Sequence, residues 1–219
     1  RYFHTSASKA QGDCVLKPLT IFLTSREGIK GPVQTGFLEY AMGSGLARGA
    51  CLFNSGAGER DPLVTRIPGP FSDGACLNRA LDCLDSEYAL IVEDNSILPG
   101  QRCLERLLDA AESTGAAVVY SDFNLLSRDN GAPVRQSLID CQPGSVREGF
   151  DFGGIILLRT DHITQACRSF GNAPGLKHAA FYDLRLKLSN FGPLFRLPEC
   201  LYTVRGPARA RNLFSYVDP

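Results

Sequence analysis

Acidic and amide side chains follow directly on an apolar run in the stretch Tyr88–Pro99, which reads "YALIVEDNSILP". Glu93, Asp94 and Asn95 offer the hard oxygen ligands that Mg²⁺ and Mn²⁺ prefer. At the carboxyl end of a parallel strand, where open α/β sheets bind ligands, they would form a metal-phosphate site. The same residues also suit a turn or a helix cap, because Asp, Asn and Ser side chains bond to nearby backbone groups. The residues of this stretch leave both interpretations open.

Apolar strands alternate with amphipathic helices along the first half of the chain. Strands are predicted at 19–25, 50–53, 88–92 and 116–126, and the helices between them begin near Pro32, at Ser72 or Asp73, and near Pro99. Strands and helices alternating at these lengths favour right-handed βαβ crossovers and a mostly parallel sheet.

The second half of the chain begins with a polar, turn-rich connection and continues with "FGGIILLRT", which is typical of one more buried strand. Helices are predicted at 161–169 and within "AAFYDLRLKLSNFG", and "LFRLPECLYTVRG" closes the domain. The chain shows no internal repeat.

The composition is that of an ordinary globular domain, with 219 residues, 44% hydrophobic and 21% charged. The 23 basic and 23 acidic residues balance, so the charge gives no indication of a nucleic-acid partner or an acidic membrane surface. Eight cysteines without a CxxC pair predict buried free thiols in a reducing compartment. There is no signal peptide and no apolar run of about 18 residues. A first residue other than Met, Arg1, suggests a piece of a longer protein.

Several segments in order resemble the family-2 glycosyltransferases, which have a GT-A fold. They are "LTIFLTSREG", "CLFNSGAGERD", "FSDGACLNRAL" and "EYALIVEDNSILPG", followed by "VVYSDFNLL", "FGGIILLRT", "YDLRLKL" and "LPECLYTVR". The resemblance runs from about Leu19 to Arg205. It implies a single α/β domain of GT-A (Rossmann-like) fold at 19–205, with a mostly parallel central sheet flanked by helices. Residues 1–18 would be an irregular N-terminal segment, and residues 206–219 a tail.

The resemblance also implies an activity: transfer of a sugar from a nucleotide-diphosphate sugar to a hydroxyl of a glycan or another acceptor. The transfer would be inverting and assisted by Mg²⁺ or Mn²⁺. The expected setting is bacterial polysaccharide biosynthesis in the cytoplasm or at the inner face of the membrane. Any membrane association would come from regions outside this chain.

Site residues follow from the resemblance position by position. Asp94 takes the place of the metal-binding aspartate, with Asn95 beside it, and Glu93 would shape the donor pocket. The residues implied to contact the nucleotide or its diphosphate are Thr24, Ser25, Asn54, Ser55, Asp73, Asn78, Arg79, Glu93 and Arg205. Pairing with Glu199 is the alternative for Arg205. Gly153 and Gly154 would let the acceptor approach the backbone, or would serve packing.

Three pairs of residues depart from the family pattern. Ala180 and Phe181 stand where a Glu-Asp pair commonly supplies the general base, so Asp183 is the nearest substitute as catalytic base. Asp183 could instead cap the helix end or pair with Arg185, and His178 is a second candidate base. Asn54 and Ser55 replace the usual carboxylate after the second strand. Thr203 and Val204 stand where many members have a His.

These departures keep a second function class open, a catalytically degenerate GT-A domain that binds a nucleotide or glycan or serves as an interaction module. A sugar nucleotidyltransferase is a third class. The lack of a Gly-rich loop bearing Lys or Arg after the first strand counts against it.

Overall fold

The computed structural model describes residues 18–24, 36–55, 61–94, 97–126, 131–142, 144–147 and 149–205. Except for residue 18, the predicted N-terminal segment lies outside the described residues, as do the predicted tail and the helix start near Pro32. No helix in the described ranges combines the length and the apolar character needed to cross a membrane.

Short strands and helices alternate along the chain. The strands are β1 (Leu19–Leu23), β2 (Ala47–Leu52), β3 (Val64–Arg66), β4 (Tyr88–Val92), β5 (Leu98–Pro99), β6 (Val118–Ser121), β7 (Phe123–Leu126), β8 (Val134–Gln136), β9 (Ile155–Arg159), β10 (Leu194–Leu197) and β11 (Tyr202–Arg205). The helices are α1 (Phe37–Gly43), α2 (Gly74–Leu81), α3 (Cys103–Thr114), α4 (Thr160–Phe170) and α5 (Ala180–Leu188).

The central sheet has seven strands in the order β10-β6-β9-β4-β1-β2-β3. Its neighbouring strands are parallel except where β9 lies antiparallel between β4 and β6. A smaller sheet has the order β5-β11-β7-β8. The predicted fold class, an α/β domain with a mostly parallel central sheet flanked by helices, is confirmed.

The central strands are continuous apolar runs because both faces of the sheet are covered. Every residue of β1 and β4 is buried. Apolar residues of α1 and α3 pack on one face, and those of α2, α4 and α5 pack on the other. Each helix therefore contributes an apolar stripe to one of two core layers.

The helix boundaries depend on local cap chemistry. Asp73 caps α2, as predicted, since its carboxylate accepts hydrogen bonds from the backbone N–H groups of Ala75 and Cys76. Gly115 ends α3 in the left-handed conformation with φ 63°. The predicted start of this helix near Pro99 is wrong: Pro99 lies in β5 opposite Tyr202, and α3 begins at Cys103.

One predicted strand is two strands in different sheets. The run "AAVVYSDFNLL" breaks at Asp122, so that β6 joins the central sheet and β7 joins the smaller sheet. Asp122 is fully buried at this break. The chain changes sheets at this residue. Several donors bind the buried carboxylate and hold the backbone turn in place.

Candidate functional site

A cavity of about 430 Å³ lies at the carboxyl ends of β1, β2 and β4. Thr24 follows β1, Asn54 lies just after β2, and Glu93 follows β4. Because these strands are parallel neighbours, their ends meet at one edge of the sheet. The lining residues are Thr24, Asn54, Pro70, Phe71, Ser72, Ile91, Glu93, His178, Phe181, Tyr182 and Arg185. Three residues predicted to bind the donor thus share one cavity.

Backbone hydrogen bonds hold these strand ends in register. The Thr24 N–H donates to the Val92 carbonyl at 2.8 Å, and the Thr24 hydroxyl donates to the Glu93 carbonyl at 3.3 Å. The Glu93 N–H donates to the Gly154 carbonyl at 2.9 Å. Asn54 has a positive φ of 52°, which Asn tolerates better than most residues. The cavity edge is therefore built on fixed backbone.

An aromatic wall closes one side of the cavity. The Phe71 and Phe181 ring centroids lie 4.8 Å apart, and Phe71 also meets Phe53 edge to face at 4.9 Å. The Ala180 N–H donates to the Ser72 carbonyl at 3.1 Å, which joins the beginning of α5 to the segment before α2. Two segments far apart in the sequence thus form one continuous surface.

The buried side chain of Arg185 packs against this wall. The Arg185 guanidinium carbon is 4.7 Å from the Phe181 ring centroid and 4.9 Å from that of Phe152. Arg185 also lines the cavity, on the same side as His178 and Tyr182. Stacking between two rings stabilises a guanidinium and limits its orientation. The site therefore combines a fixed positive charge with aromatic faces.

The amino end of α2 has no donors left for a phosphate. Asp73 accepts from Ala75 N at 2.9 Å and Cys76 N at 3.1 Å, and Gly74 N donates to the Leu176 carbonyl at 2.7 Å. A Cβ at Gly74 would lie 2.0 Å from the Ala173 carbonyl oxygen, so the loop packs directly on the helix end. Capping, rather than contact with base or phosphate, is the role that this geometry gives Asp73.

The cap also explains the electrostatics of Asp73. Backbone hydrogen bonds, first from Cys76, hold the pKa of this carboxyl below its usual range. Asn78 and Arg79 lie farther along α2, and neither belongs to the cavity lining. The part of this region that reaches the cavity is the preceding pair Phe71 and Ser72.

Ser55 and Arg205 also lie outside the lining. The Ser55 side chain is buried and its hydroxyl accepts a hydrogen bond from Arg66 Nη1 at 2.6 Å, so it supports β3. Arg205 is exposed at the carboxyl end of β11, which runs antiparallel to β5 and so ends on the side of the acidic segment. The alternative pairing of Arg205 with Glu199 is wrong, because Glu199 binds Arg106 through both carboxylate oxygens.

The candidate metal ligand Asp94 is exposed next to Glu93, and its carbonyl accepts from the Ile97 N–H at 3.2 Å. Asn95 and Ser25 lie outside the described residues. Within the described ranges, no three His, Cys, Asp or Glu side chains form a metal-binding cluster. A Mg²⁺ ion bound with substrate phosphates needs only one or two carboxylates, so an exposed Asp94 fits such an ion.

The Asp183 carboxylate forms an ion pair within its own helix, α5. It pairs with Lys187 one turn later at 2.5 Å, and Lys187 also donates to the Gly171 carbonyl at 2.9 Å. Arg185, the alternative partner of Asp183, stacks between two aromatic rings. His178 lines the cavity and Asp183 does not belong to the lining.

The glycine pair serves packing and not acceptor approach. A Cβ at Gly153, whose φ is 76°, would lie 2.3 Å from the Tyr202 hydroxyl oxygen, and one at Gly154 would lie 2.8 Å from Ile97 Cδ1. The Gly154 N–H donates to the Tyr202 hydroxyl at 2.7 Å, and burial raises the pKa of Tyr202. The space beside these glycines is filled by the protein itself.

Comparisons with solved structures show the same fold. S. aureus TarS 1-349 matches with a TM-score of 0.57 at 13% identity, over 85% of this chain and 60% of that one. Its complex with UDP-GlcNAc matches with a TM-score of 0.53 at 14% identity, over 86% and 58%. TarS 1-349 in complex with UDP also matches, with a TM-score of 0.55. The chain thus spans about three fifths of TarS 1-349, and no protein-family model or curated protein matches its sequence.

Sequence reasoning missed most of the aromatic and cationic lining, namely Phe71, Tyr182 and Arg185. The signal at Phe71 is an aromatic residue in a Pro-Gly-Pro loop directly before a capped helix. The signal at α5 is the spacing of positions 181, 182 and 185, which places these residues on one helix face, with His178 just before the helix. Neither pattern points to a ligand until the two segments are seen to meet.

Proposed function

We propose that this domain binds a nucleotide-diphosphate sugar and transfers the sugar to an acceptor hydroxyl. The observation that carries the proposal is the meeting of Thr24, Asn54 and Glu93 in one cavity at the carboxyl edge of the sheet. The same fold in TarS was crystallised with UDP and with UDP-GlcNAc. Open α/β sheets bind their ligands at this edge.

The cavity suits the nucleoside part of such a donor. Its volume of about 430 Å³ lies in the range of small-molecule sites, roughly 300–1,000 Å³. The Phe71 and Phe181 rings offer apolar faces for a planar base. Thr24 and Asn54 offer hydroxyl and amide groups for hydrogen bonds to the base edge or ribose.

The acidic segment and Arg205 suit the diphosphate. Asp94, with Asn95, would hold the Mg²⁺ or Mn²⁺ ion, which neutralises charge on the diphosphate leaving group when bound. Arg205 stands at the end of β11 that lies on the side of this segment. Its fixed charge would attract the same leaving group.

Transfer also needs a group that takes the proton from the acceptor hydroxyl. Among the lining residues, Glu93 and His178 can accept a proton. His178 lies on the α5 side of the cavity with Phe181, where the family commonly has its acid pair. We therefore assign the base role to His178 ahead of Asp183, which is paired with Lys187.

A second candidate function is nucleotide or glycan binding without transfer. The observation that favours it is Phe181, which lines the cavity at the usual acid position and packs against both Phe71 and Arg185. Such a side chain builds a binding surface and cannot move a proton. The two candidates share the donor site and differ only in whether the bound donor is consumed.

The experiment is a thermal-shift and calorimetric screen of UDP, GDP, CDP, dTDP and their sugars, each with Mg²⁺, Mn²⁺ or EDTA. One nucleotide should stabilise the protein, by about 2.7 kcal/mol at 100 times its Kd, and EDTA should remove much of the effect. Absence of binding by every nucleotide to folded protein would contradict both candidates. Binding of a nucleotide sugar with no nucleotide released across an acceptor panel would favour the binding module.

A further inference from the structure

A second cavity, of about 230 Å³, lies beside β1, β2 and β3. Two cysteines belong to its lining. Thr20, near the start of β1, and Asp85, before β4, belong to its lining. Cys51 enters from β2 and Cys83 from the residues that follow α2. None of these residues lines the nucleotide cavity. The two cavities therefore share no lining residue.

The two thiols differ in access and line the same cavity. Cys51 is buried, whereas Cys83 is exposed and its thiol donates to the Arg79 carbonyl at 3.2 Å over the last turn of α2. Burial raises the pKa of Cys51 to about 12, and the Cys83 thiol adds to this rise by charge and by hydrogen bonding. The sheet and the end of α2 thus bring an exposed thiol and a buried one to the same cavity.

The other described cysteines with shifted pKa values have a different environment. After burial, the groups that act on Cys76, Cys103, Cys167 and Cys200 are carboxylates and cations, not thiols. Among these cysteines, a second thiol in the same cavity is therefore specific to Cys51 and Cys83.

We propose that Cys51 and Cys83 are a redox pair that forms a reversible disulfide between β2 and the end of α2. A suitable oxidant is a low-molecular-weight disulfide such as oxidised glutathione. The exposed Cys83 thiolate attacks one glutathione sulfur, forms a mixed disulfide and releases one glutathione thiolate. The Cys51 thiolate then attacks the Cys83 sulfur and displaces the second glutathione. The protein sulfurs lose two electrons, glutathione gains them, and the two thiol protons end on the released glutathiones.

The second step determines the pH dependence. Because burial keeps Cys51 protonated at neutral pH, its thiolate fraction rises about tenfold per pH unit between pH 7 and 9. The charged groups in the same cavity are Arg48 and Asp85, which form an ion pair at 2.7 Å. Closure of the disulfide should accelerate accordingly.

The disulfide would link two elements whose neighbouring residues also line the nucleotide cavity. The segment after β2 carries Asn54, and Phe71 and Ser72 precede α2. Cys51 is the next-to-last residue of β2, whereas Cys83 follows the end of α2 away from Phe71 and Ser72, and neither cysteine lines the cavity. The redox pair therefore does not depend on the proposed transferase activity.

The test treats folded protein with oxidised glutathione at pH 8, blocks the remaining thiols, and maps tryptic peptides without reduction. Cleavage after arginine puts Cys51 on the peptide Gly49–Arg60 and Cys83 on Ala80–Arg102, with one cysteine in each. We expect these two peptides joined, two hydrogen masses below their sum, and separated by dithiothreitol. The oxidised protein should melt about 5–10 °C higher.

Two variants make the test specific. Cys83→Ser alters an exposed side chain and should abolish both the joined peptides and the thermal shift. Cys76→Ser, on α2 itself, should keep both. Glutathione that stays on Cys83 while Cys51 remains alkylatable after denaturation would overturn the proposal. A link that forms only in urea, or one that joins Cys83 to another cysteine, would overturn it as well.

Discussion

Two strands of the central sheet are followed by acidic residues at the same edge of the sheet. The acids after one strand have different surroundings from the acid after the other. β4 is followed by Glu93 and Asp94, and β6 ends at Ser121 and is followed by Asp122. Both strands lie antiparallel to β9, so they run in the same direction. In the sequence each appears as an apolar run that stops at a carboxylate.

The carboxylate after β6 is fully buried and saturated with donors. Asp122 accepts from Arg196 Nε at 2.8 Å and Nη2 at 2.9 Å, from Arg135 Nη2 at 2.8 Å, and from Leu138 N at 3.0 Å. Burial would raise its pKa, but these donors, first Arg196, hold it below the usual range. The acids after β4 face a cavity and solvent instead. Saturation by protein donors indicates a structural role, and position at a cavity indicates ligand chemistry.

The largest expected effect is on stability, at the β6 end. Asp122→Asn leaves two arginines without their common carboxylate and should lower the free energy of unfolding by about 3–5 kcal/mol. Urea denaturation measures this loss. The control is Asp140→Asn, whose exposed carboxylate contacts the same Arg196 at 3.3 Å and should cost under about 1 kcal/mol. Equal losses in both variants would contradict the structural role of Asp122.

The pH dependence of Asp122 has a defined sign. A carboxyl whose pKa is lower in the folded state stabilises the fold above its unfolded pKa, about 3.9, and loses this contribution as pH falls through the folded pKa. The stability difference between wild type and Asp122→Asn should therefore be constant from pH 7 to about 5 and shrink below about pH 4. A difference that stays constant down to pH 3 would argue against this linkage.

A smaller effect, on function and not on stability, is expected at the β4 end. Asp94→Asn should lower transfer, or metal-dependent donor binding, by roughly 100-fold through loss of a charged metal ligand. Its exposed position predicts a stability change within about 0.5 kcal/mol. Asp85→Asn, an exposed acid in the other cavity, is the control for charge alone. If Asp94→Asn kept the metal-dependent donor binding of the wild type, the acids after both strands would have a structural role.

The aromatic wall beside the β4 end should have an intermediate effect. Phe181→Ala removes a face of the cavity and should weaken nucleotide binding by about tenfold, as expected for loss of one stacking contact. Calorimetric titration measures the change. Phe170→Ala on α4 removes an exposed ring that meets Phe191 away from the cavity, and should leave nucleotide affinity unchanged. Equal affinity of both variants would exclude the wall from the binding site.

The smallest effect is expected at Asp183. Asp183→Asn breaks a pair one helical turn long and should cost about 0.3–0.5 kcal/mol of stability, with transfer unchanged. His178→Gln should instead lower transfer at unchanged stability, because His178 is exposed at the cavity. Rates of both variants across a pH series distinguish the two bases. A large loss of transfer in Asp183→Asn alone would restore Asp183 as the base.

Residues that are close together in the chain suffice to predict the local elements and the fold class. The apolar runs of β1 and β4, the cap at Asp73 and the end of α3 at Gly115 depend on residues within a few positions of each other. The three shortest strands, β3, β5 and β8, were missed. With two or three residues each, they are too short to show a periodic pattern.

Contacts between distant segments establish which polar residues line the cavity and which bind other parts of the protein. The bond from Thr24 to Glu93 spans 69 positions, and the bond from Arg196 to Asp122 spans 74. The antiparallel insertion of β9 and the meeting of Phe71 with Phe181 are likewise contacts between distant segments. Local periodicity and cap chemistry act over one or two turns of chain. The partner of a carboxylate depends on how the sheet brings remote strand ends together, and the residue types alone do not record it.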